Sequence, residues 1–353
     1  MHRRHRNVAI LNGSEGVTET KQQATITVLG AGSWGTALAI QLARDARPTV
    51  LWGRAEDQPE LLAAERCNQR YLPDARFPDE LTIEPVLEKA VRGTDDLLVC
   101  VPSVAFRQVL DSINPHLAVS SRVAWATKGF EQQTGKLPHE VARDVLGEKR
   151  PLAVLSGPTF AREVGAGLPT AMTIAATDID FGNSLAERIS NHQFRAYTSD
   201  DIIGVEVGGA VKNVIAIAAG ISDGLGFGAN TRIALISRGL IEMTRLGVAL
   251  GAKATTFTGL SGMGDLTLTC TDDQSRNRRM GLALAGGRSP DEIASEIGQV
   301  VEGVYAAKSV HEVAARKDIE MPICEQVYRI LYAGAMPSDA VTALMSRALK
   351  SEA

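Results

Sequence analysis

The sequence predicts an α/β fold in two parts, an N-terminal Rossmann-like doubly wound sheet followed by an all-helical C-terminal domain. Three observations predict it. From Thr25 to about Thr198, short apolar, β-branched runs alternate with helical patterns, the texture of βαβ units around a sheet buried on both faces. From about Asp201 the strand signals stop and helical patterns alone continue. A glycine-rich turn, Gly30–Gly35, joins the first strand pattern to the first helical one. At roughly 150 residues per domain, 353 residues suit two domains, each able to bury its own core.

The elements follow in order. Residues 1–23 hold four cations, Arg3, Arg4, Arg6 and Lys21, against Glu15 and Glu19, with only the short apolar stretch Val8–Leu11. They read as a disordered extension without a secretory signal. Strands are expected at Thr25–Leu29, Thr49–Trp52, Asp96–Val101, Arg122–Thr127, Leu152–Ser156 and Thr170–Ala175. The first helix is Thr36–Ala43. After residue 204, helices are expected at 205–220, 229–250, 279–286, 290–297, 303–317 and 323–333, with Gly or Pro at the breaks. The expected division is therefore 1–23, 24–204 and 205–353, with a ligand cleft between the two domains.

Composition excludes several classes. Hydrophobic residues make up 44% and charged residues 22%, and the formal net charge is −4. That is ordinary globular composition without the basic field that nucleic acid requires. Cys67, Cys100, Cys270 and Cys324 form no CxxC pair, which suits reduced thiols in a cytoplasmic protein rather than a disulfide framework. No HExxH or EF-hand pattern occurs, so no metal is expected. No apolar run is read as approaching the 18 or so residues of a membrane span, so no membrane insertion is expected. His192 and His311 look merely exposed.

Gly30-Ala31-Gly32-Ser33-Trp34-Gly35 is a GxGxxG between strand and helix, with the next strand at Thr49–Trp52. Gly30 permits the turn, Gly32 admits a pyrophosphate close to the backbone, and Gly35 lets helix and strand pack closely. The helix N-terminus offers free N–H groups and partial positive charge to phosphates. The second strand ends in Trp52-Gly53-Arg54-Ala55-Glu56-Asp57. Arg54 stands where a strict NAD binder carries an acid, and a guanidinium suits the 2′-phosphate of NADP(H). Glu56 and Asp57 could still serve NAD(H).

The stretch Val205–Ile217 places a lysine in an apolar helix. The helical neighbours of Lys212 are Gly208, Gly209, Ile215 and Ala216. An ammonium there is partly desolvated, its pKa falls, and it suits proton transfer. The alternative is a lysine that snorkels to solvent. Asp265, after the Gly-rich run Gly259–Gly264, could hold that ammonium. Ser275-Arg276-Asn277-Arg278-Arg279 gathers three cations and an amide, a cradle for phosphate or a solvated basic face.

Seven ordered motifs resemble the bacterial-type NAD(P)-dependent glycerol-3-phosphate dehydrogenases: GAGSWGTALA at 30–39, ATKGFE at 126–131, LSGPTFA at 155–161, EVGGAVKNVIAIAAG at 206–220, GLSGMGDL at 259–266, SRNRRMG at 275–281 and VVEGV at 300–304. The resemblance spans nearly all of residues 25–345. It implies reduction of dihydroxyacetone phosphate to sn-glycerol 3-phosphate with NADP(H) or NAD(H), in the cytoplasm, by a homodimer. It implies that Lys212 is the proton donor and acceptor and that Asp265 orients it. Lys128 would touch substrate and cofactor. Gly157, Thr159, Asn213, Thr269, Ser275, Arg276 and Asn277 would meet the substrate. Ser33, Trp34, Arg54, Tyr71, Ala161, Arg276, Val300 and Glu302 would join the glycines at the cofactor.

Two rivals stand beside this reading. A β-hydroxyacid or 6-phosphogluconate-type dehydrogenase shares the domain order, but its lysine carries an asparagine one helical turn on. Here Asn213 is adjacent and position 216 is Ala. A non-catalytic NADPH-binding regulator would have kept the fold and lost the chemistry.

Overall fold

The computed structural model of the chain describes residues 25–348; the extension expected over 1–23 lies outside the described residues. Among the described residues ten strands form: β1 (Ile26–Leu29), β2 (Thr49–Trp52), β3 (Cys67–Asn68), β4 (Leu72–Arg76), β5 (Leu81–Ile83), β6 (Asp96–Val99), β7 (Arg122–Trp125), β8 (Leu152–Ser156), β9 (Thr170–Ala176) and β10 (Phe194–Ser199). Eight of them make one sheet in the order β10-β9-β8-β7-β6-β1-β2-β5, and β3 pairs with β4 alone. All six expected strands are present within two residues. Four strands escaped the sequence reading: β3, β4 and β5 are brief, and β10 mixes Arg, Thr and Ser with its apolar residues.

The sheet is not wholly parallel. β8 and β9 pair antiparallel, while β9 and β10 pair parallel to each other. The link from β8 to β9 carries only the short helix Ala161–Ala166. At 1.5 Å per residue this helix cannot traverse the sheet as a parallel crossover requires. The chain therefore turns back at the same end.

Between β1 and β2 the chain winds to one side, and from β6 it winds to the other. The switch point lies between β1 and β6, whose carboxyl ends open on the crevice where such sheets bind ligands. Apolar cores fill both faces. Ile26, Val28, Leu38 and Leu51 pack on one, and Leu29, Val99, Val123, Trp125 and Phe106 on the other. Ile202 and Val205 join the second core, so the first helical turn after the sheet is anchored to it.

That helix, Ile202–Gly224, is the axis of the C-terminal half. It packs against Ala229–Ala249, Asp265–Thr271, Arg276–Ala285 and Glu302–Arg316. It is 23 residues long, an 18-residue stretch of it has a mean hydropathy of 1.7, and it could span a membrane by length and composition, which corrects the expectation that no run approaches that length. Glu206, Lys212 and Asn213 interrupt the run in sequence but sit within one continuous helix. Some 89% of that stretch is buried in protein, the mark of a core helix. The helix Asp265–Thr271 was not expected, because it is brief and follows a glycine-rich turn. The helix expected at 279–286 starts three residues earlier, at Arg276, capped by the Ser275 hydroxyl accepting from the Arg278 N–H at 3.2 Å.

Candidate active site

The carboxyl ends of β1, β6, β7 and β8 deliver the loops that carry the expected site residues. At β1, Gly30 has φ +117°, and a Cβ there would stand 2.6 Å from the Cys100 carbonyl oxygen. On Gly35 a Cβ would stand 1.9 Å from the Gly30 oxygen. Both positions therefore require glycine, as the close strand–helix packing demands. Open space lies before Gly32, and the helix Ser33–Ala43 begins there without a side-chain cap. The Trp34 indole nitrogen is buried without a hydrogen-bond partner. Free amides, open space and an unpaired donor suit a dinucleotide's phosphates.

At the end of β2, Arg54 is largely exposed, with Asp57 at 3.6 Å and Glu56 at 3.9 Å from its Nε. Asp57 also accepts the Arg54 backbone N–H at 2.9 Å, so that acid is already engaged in the turn. Tyr71 lies beside Arg70, whose guanidinium sits 4.9 Å from its ring.

The catalytic candidates converge on one carboxylate. Lys212 donates to Asp265 Oδ1 at 2.5 Å and to Thr269 Oγ1 at 3.0 Å. Lys128, from the loop after β7, donates to Asp265 Oδ2 at 2.7 Å. Ser156, the last residue of β8, reaches the same oxygen at 3.4 Å. Asp265 is 1% exposed and Lys212 7%. Burial pulls the Lys212 ammonium down to about 8; Asp265 opposes that fall and Lys128 adds to it. Burial alone would push the Asp265 carboxyl up, but the two lysines hold it below its ordinary value. The expected Lys212–Asp265 pair is formed, and the snorkelling alternative is excluded by that burial.

Gly208 and Gly209 make this approach possible. A Cβ on Gly208 would stand 2.5 Å from the Ser261 oxygen, and one on Gly209 3.2 Å from Lys128 Cγ. The turn Leu260–Gly264 thus lies against the lysine helix and points Asp265 at Lys212.

The Ser275–Arg279 cluster divides. Asn277 donates to Asn213 Oδ1 at 2.8 Å and accepts the Gly303 N–H at 2.9 Å, so it stands beside the lysine. Arg276 donates to the Val300 oxygen at 2.8 Å. Arg278 turns away to Asp223 and Asp273, and Arg279 is exposed. The cradle therefore comes down to Arg276 and Asn277, because helical periodicity sends the next two side chains elsewhere. Glu302 accepts from Ser103 N at 3.2 Å and Ser103 Oγ at 2.8 Å. Ser33 donates to Gln299 at 3.3 Å. The segment 299–302 thus bridges from the helical half to the glycine-rich turn. Gly157 has φ +156°, Thr159 follows on the same loop after β8, and Ala161 begins the helix Ala161–Ala166.

Sequence reasoning missed Ser156, Ser103 and Gln299, whose one signal was a polar residue just past a strand or before a helix. It also took His311 for an exposed residue. His311 stacks on Tyr328 with centroids 3.8 Å apart and meets Glu325 at 2.6 Å. Among the described residues no group of His, Cys, Asp or Glu is arranged to hold a metal.

Known proteins resemble the chain over most of its length. Residues 25–182 match the family model described as NAD-dependent glycerol-3-phosphate dehydrogenase N-terminus, and residues 201–342 match its C-terminus. A glycerol-3-phosphate dehydrogenase [NAD(P)+] of Aeromonas salmonicida is 55% identical over 331 residues, covering 94% of this chain and 99% of its own. That of Tolumonas auensis is 56% identical over 328 residues, covering 93% and 98%. The crystal structure of glycerol-3-phosphate dehydrogenase from Coxiella burnetii superposes with a TM-score of 0.89 at 48% identity, covering 92% of this chain and 99% of that one. The chain belongs to the NAD-dependent glycerol-3-phosphate dehydrogenase family.

Proposed function

We propose that the chain reduces dihydroxyacetone phosphate to sn-glycerol 3-phosphate, reversibly, with NADPH or NADH, and so supplies the backbone of glycerophospholipids. Its relatives' names support the activity. The observation that carries the mechanism is the buried Asp265 carboxylate shared by Lys212 and Lys128, with Asn277 tied to Asn213 next to the lysine.

A reduced nicotinamide, when bound, supplies the hydride to the ketone carbon. Lys212 meets the charge growing on the carbonyl oxygen and gives it the proton. Asp265 and Thr269 aim the ammonium, and Lys128 adds a second cation beside it. Arg276 and Asn277 grip the phosphate, so binding energy remote from the carbonyl aligns it. Gly157 and Thr159 border the substrate; Ala161, Tyr71, Val300 and Glu302 border the cofactor. In the reverse direction, neutral Lys212 takes the alcohol's proton. Residues 24–204 and 205–353 work as cofactor and substrate domains. Four free cysteines support a reducing, cytoplasmic setting. A homodimer follows from the family resemblance, and a monomer in sedimentation at micromolar concentration rejects it.

The test is NADPH oxidation with and without dihydroxyacetone phosphate. Lys212→Ala should lower turnover by about 10³-fold or more, with NADPH affinity near wild type. Lys212→Arg should rescue little, because a guanidinium holds its proton near neutral pH. Reduction needs the ammonium, so its rate should fall as pH rises through about 8, while oxidation rises there. A folded Lys212→Ala protein within about tenfold of wild type rejects the mechanism. No turnover of dihydroxyacetone phosphate by the wild type favours the regulator, and preference for a carboxylate substrate favours the hydroxyacid enzyme.

A further inference from the structure

Three residues before Lys128, the buried Trp125 ends β7 and donates from Nε1 to Glu206 Oε1 at 3.2 Å. Glu206 stands on the lysine helix, six residues before Lys212, and is 3% exposed. Its Oε1 also accepts the His139 backbone N–H at 2.8 Å, and its Oε2 lies 2.5 Å from His139 Nδ1. His139 belongs to the first turn of the helix Pro138–Leu146, which closes the loop that leaves β7 and carries Lys128. One buried carboxylate therefore gathers a strand end, the helix beyond it and the lysine helix. A buried carboxylate is tolerated only when bonded in this way.

The two lysine-bearing segments also run in step. Gly209 follows Glu206 by three residues, and Lys128 follows Trp125 by three. The first members of these pairs are hydrogen-bonded, and the second are in contact, with a Cβ on Gly209 falling 3.2 Å from Lys128 Cγ. Asp265 comes from a third element and receives Lys128 on one oxygen and Lys212 on the other. It can do so only where those segments are correctly spaced.

We propose that Glu206 is a positioning residue: bonded to Trp125 and His139, it fixes the Lys128 segment against the Lys212 helix and sets the spacing of the two lysines about Asp265. Its effect on turnover rests on the proposed role of Lys212; the spacing does not.

The charges near both ends are identified. Burial pushes the Glu206 carboxyl up against its donors. Burial would lower the His139 imidazole, but Glu206 and Glu140 raise it and Arg143 opposes them. Lys212 is faced by Asp265, Lys128 and the Cys270 thiol, which burial pushes up to about 12 and so keeps neutral.

The full-length protein is prepared with isotope-labelled lysine, and the Lys212 titration is followed by NMR in wild type, Glu206→Ala and Glu206→Gln. Lys128 lowers the Lys212 midpoint. Its withdrawal in Glu206→Ala should raise that midpoint by about half a pH unit or more. In the same variant kcat should fall about tenfold or more with KM for NADPH nearly constant, as a small misplacement of reacting groups implies. Glu206→Gln keeps an acceptor for the Trp125 and His139 N–H groups and should restore both midpoint and kcat. A folded Glu206→Ala protein with an unchanged midpoint overturns the proposal, and so does a glutamine variant as impaired as the alanine one. Where Glu206→Ala is not recovered folded, Trp125→Phe removes one donor and must move the midpoint in the same direction; no movement there also overturns it. An active Lys212→Ala protein would overturn the proposed role of Lys212 instead, leaving the spacing of the Lys128 segment to stand.

Discussion

Single residues decide chemistry here through the company they keep. Arg276 is a surface-type residue drawn inward. Burial pulls its guanidinium down from its ordinary value, opposed by nearby Glu302, so a dianionic phosphate is the partner that best compensates it. Arg276→Ala should impair turnover of dihydroxyacetone phosphate far more than that of unphosphorylated dihydroxyacetone, since a charge-assisted hydrogen bond is worth roughly 1.5–3 kcal/mol. Equal losses for the two substrates would assign Arg276 to structure or cofactor. Arg54 makes the contrasting case, exposed and only loosely paired with Glu56 and Asp57. Arg54→Ala should weaken NADPH much more than NADH in binding titrations, because only NADPH carries the 2′-phosphate. A uniform loss would leave Arg54 as a loop cation.

At the scale of elements, two glycines set the distance between the helices Ile202–Gly224 and Arg276–Ala285. A Cβ on Gly220 would stand 2.1 Å from the Arg278 oxygen, and one on Gly281 2.1 Å from the Ile217 oxygen. The clashing atoms are backbone, so neither contact can relax by a rotamer change. Gly281→Ala should therefore lower the denaturant midpoint by an amount equivalent to about 1–3 kcal/mol. It should also raise KM for the phosphorylated substrate, because Arg276 and Asn277 ride on the displaced helix. A variant with wild-type midpoint and KM would show that the helices slide freely.

Across the whole molecule, stability at neutral pH carries a cost from one buried acid. Glu242 is 3% exposed and accepts the N–H groups of Ile323 at 2.7 Å and Cys324 at 3.2 Å, which start the helix Pro322–Tyr332. Burial pushes its carboxyl up to about 7 from 4.5. Because the folded value is raised, the native state binds the proton more tightly than the unfolded chain. Its stabilisation is full below pH 4.5 and is lost as pH climbs through 7, up to about 3 kcal/mol. Glu242→Gln should gain on wild type in chemical denaturation as pH rises from 5 to 8. A constant difference between the two proteins across that range would show that Glu242 does not titrate there.

Local pattern carries the two-part architecture, the glycine-rich turn and a lysine set in an apolar helix. Those features are local: alternation of apolar runs, glycines at fixed offsets and a lysine flanked by small residues are all visible within a few turns of chain. The tertiary structure decided what depends on separation in sequence. It turned β9 antiparallel to β8 across a connection whose one helix spans only Ala161–Ala166. It sent Arg278 to Asp223 and Asp273 and Arg279 to the surface, away from Asn213 and Lys212, since the helix starts early at Ser275. It also placed Lys128 opposite Lys212 on the same carboxylate and seated Glu206 between Trp125 and His139. Partners 53 to 137 residues apart leave no periodic trace; they become neighbours only when strand ends and helices are brought to one edge of the sheet.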